Sequence, residues 1–257
     1  MKSYKIVIIG GGNVAYHLIK SITFSGHKLL QIYNRTLNNI NQYNSNTSIT
    51  GKLGDISLDG DIYIVCVKDT AISEVVKNLK LKDKLIVHTS GNMSMDLLKN
   101  CSENYGVFYP IQSFTKNIPM DFKKIPLIIE ANNPSAFKML HDFSSSISKN
   151  VIEMNELDRQ KLNVAGVFAN NFTNHLFAIT HEYMKKQNLD FNILLPLIQN
   201  TVDKLTLGNP YEMQTGPAVR NDKTTIKNHL EILKDDEVMS DIYKTVSKRI
   251  QKYHKVE

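Results

Sequence analysis

This chain of 257 residues has few cysteines, no long apolar run and no apolar leader, and each absence excludes a class of protein. Its two cysteines, Cys66 and Cys101, lack neighbouring ligand residues, so we expect neither a disulfide framework nor a metal site. Apolar runs fall far short of the ~20 residues that a membrane-spanning helix needs, so we expect no membrane partner. No charged and then apolar leader precedes the first apolar run, which predicts a cytoplasmic protein.

The formal net charge of +6 raises the question of nucleic-acid binding. The basic residues are scattered along the chain, apart from one mild cluster: Lys244, Lys248, Arg249, Lys252 and Lys255. This spacing is typical of the solvated face of a helix. We therefore expect small molecules, and not nucleic acids, to be its partners.

The first motif is a strand, a glycine loop and a helix at the N-terminus. Ile6 to Ile9 form a β-branched apolar run that is typical of a buried strand. After it, Gly10, Gly12 and Ala15 match the G-x-G-x-x-G/A pattern, in which small residues permit a sharp turn and a close approach to a pyrophosphate. A plain strand–turn–helix unit is the alternative. The predicted cofactor contacts on this loop are Gly10, Gly12, Asn13 and Val14.

Further along the chain, short apolar runs alternate with helical segments. Strands are predicted at 28–34, 61–67, 84–89, 106–109, 126–130 and 151–153, with a weak one at Ile49. Helices are predicted at 36–43, 70–79, 94–99 and 135–146. This alternation predicts an α/β fold with a doubly wound, Rossmann-like parallel sheet, whose ligand lies at the carboxyl ends of the strands.

From Asn155 onward every segment has helical spacing. Asn155 is predicted to cap a helix that ends near Gln187, with Asn188 as a left-handed terminator. At ~1.5 Å per residue this helix would be roughly 45 Å long. Shorter helices are predicted at 192–207, 223–234 and 237–253. We therefore predict a dinucleotide-binding domain over 1–154 and an all-helical substrate and dimerisation domain over 155–257.

The end of the second predicted strand indicates which dinucleotide is bound. NAD sites usually place an acidic residue about 20 residues after the glycines, to bind the ribose 2′-hydroxyl. This chain instead has Asn34, Arg35 and Thr36, and a guanidinium can pair with a 2′-phosphate. The pattern favours NADP(H), although a surface arginine in a turn is the alternative. The next strand end adds Val67 and Thr70 beside the ribose and nicotinamide.

Polar side chains at two later strand ends are candidates for the chemistry. His88 is a candidate proton donor and Ser90 a candidate contact for a polar substrate group. A strand-end histidine held by backbone hydrogen bonds is an equally consistent interpretation of His88. Gln112 follows another strand end and is a candidate amide contact to the substrate.

The helical region adds a second set of candidates. Asn171, Asn174 and His175 interrupt an apolar helix and share one face by their i, i+3, i+4 spacing. We expect these amides to be buried and bonded to a ligand, or else to another helix. Together, Asn171 and Asn174 join His88 and Ser90 as catalytic candidates. The loop over 213–222 adds the substrate-binding candidates Gln214, Thr215 and Arg220.

Several segments together resemble one known family: GGGNVAYHLI, YNRT, VKDTAI, VHTSG, FYPIQSF, ANNFTNH, PLIQNTVDK and QTGPAVRND. The chain resembles oxidoreductases in which a Rossmann-like NADP-binding domain is fused to a helical domain of unknown function. It is more distantly similar to the β-hydroxyacid dehydrogenase and pyrroline-5-carboxylate reductase group, and its helical region is similar to the C-terminal domain of 6-phosphogluconate dehydrogenase. The resemblance implies the fold, NADP(H) and a homodimer through the helical domain, but no particular substrate.

One departure from the more distant group concerns proton transfer. In β-hydroxyacid dehydrogenases a lysine lies one helical turn before an asparagine, and aligning that asparagine with Asn171 places Val167 at the lysine position. An acid would then have to come from His88, His175, His229 or a bound water. We expect an NADPH-dependent reductase of a small polar or anionic substrate with a C=O or C=N bond. The alternative is a non-catalytic NADP(H)-binding sensor or scaffold.

Overall fold

The computed structural model describes residues 2–256, which form an eight-stranded sheet and a helical region. The strands are β1 (Lys5–Ile9), β2 (Lys28–Tyr33), β3 (Ser48–Thr50), β4 (Ile62–Val65), β5 (Lys82–His88), β6 (Ser102–Pro110), β7 (Leu127–Ala131) and β8 (Val151–Glu153). Their order in the sheet is β3-β2-β1-β4-β5-β6-β7-β8. Strands β1 to β6 are parallel, whereas β7 runs antiparallel to β6 and parallel to β8. The predicted Rossmann-like fold is confirmed, but β7 and β8 run opposite to the other six strands, which the sequence did not indicate.

The α-helices cover both faces of the sheet and then form the C-terminal region. They are α1 (Asn13–Phe24), α2 (Ile72–Val76), α3 (Pro134–Ile147), α4 (Glu156–Gly166), α5 (Thr173–Lys186), α6 (Leu195–Lys204), α7 (Lys223–Ile232) and α8 (Glu237–His254). The helices predicted at 36–43 and 94–99 are only 3₁₀ turns. The first of these segments is rich in asparagine, whose side chain competes for backbone hydrogen bonds and disfavours a helix.

Strands β1 and β4 occupy the middle of the sheet and are buried on both faces. Ile6 and Ile8 point to the layer that contains α1 and α3, whereas Val7 and Ile9 point to the layer that contains α2. This alternation follows the two-residue period of a strand. The carboxyl end of β1 is therefore held rigidly where the glycine loop begins.

The long helical segment after β8 is divided by a stretch of different pitch. Asn155 caps α4 through its Oδ1, which accepts from the Asp158 N–H at 2.9 Å, and Asn188 has a φ of 56° after α5, as predicted. Between α4 and α5, Val167–Phe172 is a π-helix. Asn171, Asn174 and His175 are exposed, so the expectation that these side chains are buried is wrong.

The chain packs into two compact units that divide between Asn171 and Phe172. Helix α4 thus belongs to the first unit together with the sheet. This division by packing lies beyond the predicted domain boundary at 154, which marks the change from strands to helices and stays a prediction. No helix within residues 2–256 combines the length and the apolarity needed to span a membrane.

The second unit contains α5 to α8 and buries little apolar surface. Among its described residues, the buried apolar side chains are those of Met184, Ala218 and Leu233. Helix α6 has no buried residue at all. Inside this unit, Asp222 caps α7, and the rings of Tyr211 and Tyr253 stack at 3.7 Å.

Candidate functional site

The glycine loop between β1 and α1 has the properties of a phosphate-binding turn. Gly10 has a φ of +123°, and a Cβ there would overlap the carbonyl oxygen of Cys66 at the end of β4. Around Gly12, by contrast, a Cβ would meet nothing within 4 Å. Helix α1 begins without a side-chain cap and without an acidic residue in its first turn. Its first N–H groups and its dipole therefore favour an anion at this position.

Asn34 connects the glycine loop to the end of β2. Its Oδ1 accepts from the Gly11 N–H at 3.0 Å, and its Nδ2 donates to the Thr36 carbonyl at 2.7 Å. Arg35 and Thr36 are exposed beside it, and no carboxylate within residues 2–256 forms an ion pair with Arg35. The Arg35 guanidinium is thus available to an anionic ligand.

The remaining predicted cofactor contacts follow β4. Val67 is half-buried and Thr70 is exposed in the 3₁₀ turn that leads into α2. Because β1 and β4 are parallel neighbours, this turn leaves the sheet at the same edge as the glycine loop. Both segments thus lie at one edge of the sheet, and the cofactor contacts of Val67 and Thr70 stay predictions.

A segment after β6, residues 111–117, lies against the first two turns of α1, and we call it the bridging segment. Its main-chain carbonyls accept hydrogen bonds from side chains of α1, and its lysine donates to the glycine loop. The hydrogen bonds run from Asn13 Nδ2 to the Phe114 carbonyl (2.9 Å), from His17 Nε2 to the Thr115 carbonyl (2.8 Å), from Lys116 Nζ to the Gly11 carbonyl (3.0 Å) and from the Tyr16 hydroxyl to Asn117 Oδ1 (3.2 Å). Asn13 therefore positions this segment through its side chain.

His88 lies at the end of β5, fully buried. Its Nδ1 accepts from the Ser90 N–H at 3.2 Å, so its Nε2 carries the hydrogen and donates to the Ser94 carbonyl at 3.2 Å. Burial lowers the pKa of His88 to about 4, against an ordinary value of 6.5. This neutral, doubly bonded ring matches the interpretation in which the backbone holds the histidine.

The Ser90 side chain also serves its own loop. Its Oγ accepts from the Asn92 N–H at 3.1 Å and from the Met93 N–H at 3.0 Å, which fixes the turn after β5. The Ser90 side chain is buried within this turn. Its carbonyl oxygen points elsewhere and accepts from the guanidinium of Arg159 at 3.3 Å.

A cavity of about 290 Å³ lies between the end of β6, the start of the bridging segment and the end of α4. It is lined by Tyr109, Ile111, Gln112, Ser113, Asn163, Gly166, Val167, Ala169, Asn170 and Asn171. The cavity thus brings together two of the predicted site residues, Gln112 and Asn171. Val167 lines the same cavity and has no group that could transfer a proton.

Tyr109 is the titratable side chain of this cavity. Its hydroxyl donates to Asn163 Oδ1 at 3.0 Å. Burial raises the pKa of Tyr109, and the positive charge of Arg159 opposes that effect. Gly91 makes room for the pair, because a Cβ there would lie 2.5 Å from Tyr109 Cζ and 2.8 Å from Asn163 Oδ1. The glycine of the VHTSG segment is therefore required by the packing of the phenol.

A buried ion pair fixes α4 to the sheet. Arg159 is completely buried and donates from Nη2 to Glu130 Oε2 at 3.2 Å, in addition to its bond with Ser90. The other oxygen of Glu130 accepts from the Glu156 N–H at 3.1 Å, at the start of α4. These bonds hold the α4 side of the cavity, including Asn163, at a fixed distance from β6 and β7.

The other predicted site residues lie in the second unit. Asn174, His175, Gln214, Thr215 and Arg220 are all exposed there, and their roles stay predictions. His229, named above as a candidate acid, forms a 2.9 Å hydrogen bond with the Tyr243 hydroxyl through Nδ1. Within residues 2–256, no group of three or more His, Cys, Asp or Glu side chains is arranged to hold a metal ion.

Sequence reasoning missed four residues of this region: Lys116, Tyr109, Asn163 and Arg159. A usable signal existed for Asn163, which precedes Val167 and Asn170 by four and seven residues and so shares a helix face with them. Tyr109 is the last residue of the predicted strand 106–109, a strand-end position like those of the other candidates. Nothing in the sequence marks Arg159 as buried or directs Lys116 toward the glycine loop.

Comparisons with known families agree with this geometry. Residues 5–92 match the family described as NADP oxidoreductase, coenzyme F420-dependent, and residues 125–250 match a domain of unknown function, DUF2520. No curated protein matches the chain. The first match confirms the predicted NADP-binding domain on the part of the chain that contains the glycine loop, Asn34 and Arg35.

Solved structures extend the similarity over nearly the whole chain. A protein from Bacteroides fragilis assigned as an NADP oxidoreductase is 36% identical, with a TM-score of 0.92 over 97% of this chain and 98% of that one. Pyrroline-5-carboxylate reductase from Streptococcus pyogenes is 14% identical (TM-score 0.64, covering 97% and 99%). A reductive aminase from Aspergillus terreus, in complex with NADPH and ethyl-5-oxohexanoate, is 10% identical (TM-score 0.72, covering 98% and 93%). The last two similarities establish the fold alone.

Proposed function

We propose that this chain, which belongs to the same NADP oxidoreductase family as the Bacteroides fragilis protein, reduces a C=O or C=N bond of a small polar substrate with NADPH. The observation that carries the proposal is the cavity lined by Tyr109, Gln112, Asn163 and Asn171. The bridging segment links this cavity to the cofactor loop, because it begins in the cavity wall and reaches Gly11 through Lys116. Its volume of about 290 Å³ suits a small molecule.

The residues of the glycine loop fit the cofactor. The open space at Gly12 and the uncapped start of α1 would take the pyrophosphate, and the unpaired guanidinium of Arg35 would take the 2′-phosphate. Val67 and Thr70 would lie on the nicotinamide side. The bound cofactor supplies the hydride, and the side chains of the cavity orient the bond that receives it.

Tyr109 is the proton donor in this proposal. The substrate carbon gains the hydride while its oxygen or nitrogen gains the proton of the Tyr109 hydroxyl, and the resulting phenolate is reprotonated from water. Asn163 can stabilise either form, because a rotated amide donates to the phenolate where it now accepts from the phenol. The charge of Arg159 favours the phenolate as well. His88 and Ser90 then act as positioning residues, which hold the β5 turn and Gly91 against Tyr109.

The test is a Tyr109→Phe variant assayed by NADPH consumption with keto acids and cyclic imines. We expect kcat to fall by about 10²- to 10³-fold while the Kd for NADPH is unchanged. Tyr105→Phe is the matched control, because it removes a hydroxyl from the same strand without touching the cavity. Unchanged turnover by Tyr109→Phe would contradict the proton-donor role, and unchanged turnover by Asn171→Ala would contradict the cavity as the substrate site. A wild-type protein that reduces neither class would overturn the reductase proposal.

The predicted homodimer is part of the proposal and rests on the second unit. Large apolar side chains such as Ile193, Leu197, Leu207 and Val238 are 62–76% exposed, while few apolar residues of this unit are buried. Covering such surfaces by a second copy is the common solution. Sedimentation at micromolar concentration should show a dimer, and a monomer would remove this part of the proposal.

The predicted cytoplasmic location is also a proposal. Cys66 and Cys101 are both unpaired and buried, which is usual in a reducing compartment. Cell fractionation tests it.

A further inference from the structure

Lys116 is the cationic side chain that contacts the glycine loop. Its ammonium donates to the Gly11 carbonyl at 3.0 Å, within the loop whose next residue, Gly12, faces open space. An ammonium has three donors, and this bond uses one of them. No carboxylate within residues 2–256 forms an ion pair with Lys116. Two donors and an uncompensated charge are therefore left beside the predicted pyrophosphate position.

The lysine is also held in place by its surroundings. The residues on both sides of it are fixed to α1, through the Thr115 carbonyl and His17 on one side and through Asn117 and Tyr16 on the other. The side chain is half-buried against the loop. Little conformational freedom is left for this ammonium to lose when a ligand binds, so its interaction with an anion is not offset by a large ordering cost.

Two cations thus flank the cofactor loop from different sides. Arg35 follows β2 and is separated from the loop by Asn34, whereas Lys116 reaches the loop backbone directly from the bridging segment. We propose that Lys116 is a cofactor-binding residue that neutralises the pyrophosphate, while Arg35 recognises the 2′-phosphate. This inference rests on the proposed cofactor site and assigns its two anionic groups to different residues.

The two cations would contact different parts of the cofactor, so their loss should affect NADPH and NADH differently. NADPH and NADH share the pyrophosphate, but only NADPH carries the 2′-phosphate. Loss of Lys116 should therefore weaken both cofactors by the same factor, and loss of Arg35 should weaken NADPH alone. A hydrogen bond to a charged group in a partly buried site corresponds to about 10- to 100-fold in Kd.

The experiment is a fluorescence titration of the full chain with NADPH and with NADH. For Lys116→Met we expect both Kd values to rise by about 10- to 100-fold, and for Arg35→Met a rise for NADPH only. Lys116→Arg should keep most of the affinity, because it keeps the charge. Lys28→Met is the matched control, since Lys28 is exposed at the amino end of β2, at the edge of the sheet opposite to the glycine loop. It should bind both cofactors like the wild type.

Two outcomes would overturn the inference. If Lys116→Met weakens NADPH but not NADH, the lysine recognises the 2′-phosphate. If the variant melts at a lower temperature but binds both cofactors normally, the bond to Gly11 is only structural. A wild-type protein that binds neither cofactor would instead refute the proposed cofactor site itself, so the two failures are distinguishable.

Discussion

Gly10 and Gly12 stand two residues apart in one motif, yet replacing each with alanine should have opposite consequences. At Gly10 the φ of +123° is strained for any residue with a Cβ, and the added methyl group would overlap the Cys66 carbonyl, which belongs to the rigid sheet. Backbone strain costs about 1–3 kcal/mol and overpacking about as much again. Gly10→Ala should therefore lower the free energy of unfolding by about 2–6 kcal/mol, a large part of the usual total.

At Gly12 the same methyl group meets no protein atom. Its φ of −79° and ψ of −168° are also open to alanine, so the free energy of unfolding should stay within about 1 kcal/mol of the wild type. The methyl group would, however, occupy the space into which we place the pyrophosphate. Gly12→Ala should thus be a folded protein that binds NADPH at least tenfold more weakly.

Two measurements on each variant decide the matter. Urea unfolding followed by circular dichroism gives the stability, and nicotinamide fluorescence gives the affinity without tryptophan background, because the chain contains no tryptophan. Wild-type affinity of Gly12→Ala for NADPH, or a loss of stability as large as that of Gly10→Ala, would refute the ligand-facing role of Gly12. Wild-type affinity would mean that the cofactor does not occupy the open space at Gly12. An equal loss of stability would mean that Gly12, like Gly10, is needed for folding.

The remaining predictions concern buried charge and protonation. Glu130→Gln should lower the free energy of unfolding, measured in urea, by about 3–5 kcal/mol, because it leaves the fully buried Arg159 without its counter-charge. Asp142→Asn is the control, because it breaks an exposed pair and should leave the unfolding curve nearly unchanged. Equal effects of the two variants would contradict this prediction. The pKa of His88 is about 4 in the folded protein, against an ordinary value of 6.5. Between these values the unfolded chain binds the proton and the folded protein does not. The free energy of unfolding should therefore fall by up to about 3 kcal/mol as the pH is lowered from 6.5 toward 4. His88→Gln should lose that part of the pH dependence, and an unchanged pH profile of unfolding would show that His88 does not cause it.

The fold could be predicted from the sequence where local pattern decides the structure. The β-branched run at Ile6–Ile9, the capping role of Asn155 and the left-handed Asn188 are all properties of a few neighbouring residues, and all are observed. The antiparallel direction of β7 depends on how the chain returns after residue 111, which periodicity does not record. The π-helix at Val167–Phe172 changes the helical repeat on which the shared face of the asparagines was predicted.

The site could be predicted only in part, for a different physical reason. Its strand-end positions follow from topology, and Gln112, one of these positions, lines the cavity. The partners of a side chain, however, depend on distant segments: Arg159 looks like an ordinary first-turn cation until Glu130 and the Ser90 carbonyl are brought to it. In the same way, the sequence leaves two interpretations of His88 open, because it does not show that both ring nitrogens are bonded to the turn after β5.

The proposed acid, Tyr109, belongs to a strand, and an acid on a strand makes different demands on the fold from an acid on a helix. A lysine at the position of Val167 would be flexible and could follow the substrate, whereas the Tyr109 phenol is carried by a strand inside the sheet and can only rotate. The helix that forms the opposite wall of the cavity, α4, must then be held in place. Three interactions hold it: the Arg159–Glu130 ion pair, the Tyr109–Asn163 hydrogen bond and the hydrogen bond from Gln160 Nε2 to the Asn92 carbonyl at 2.9 Å. The costly burial of a guanidinium so close to the cavity is explained if rigidity there is a condition for proton transfer.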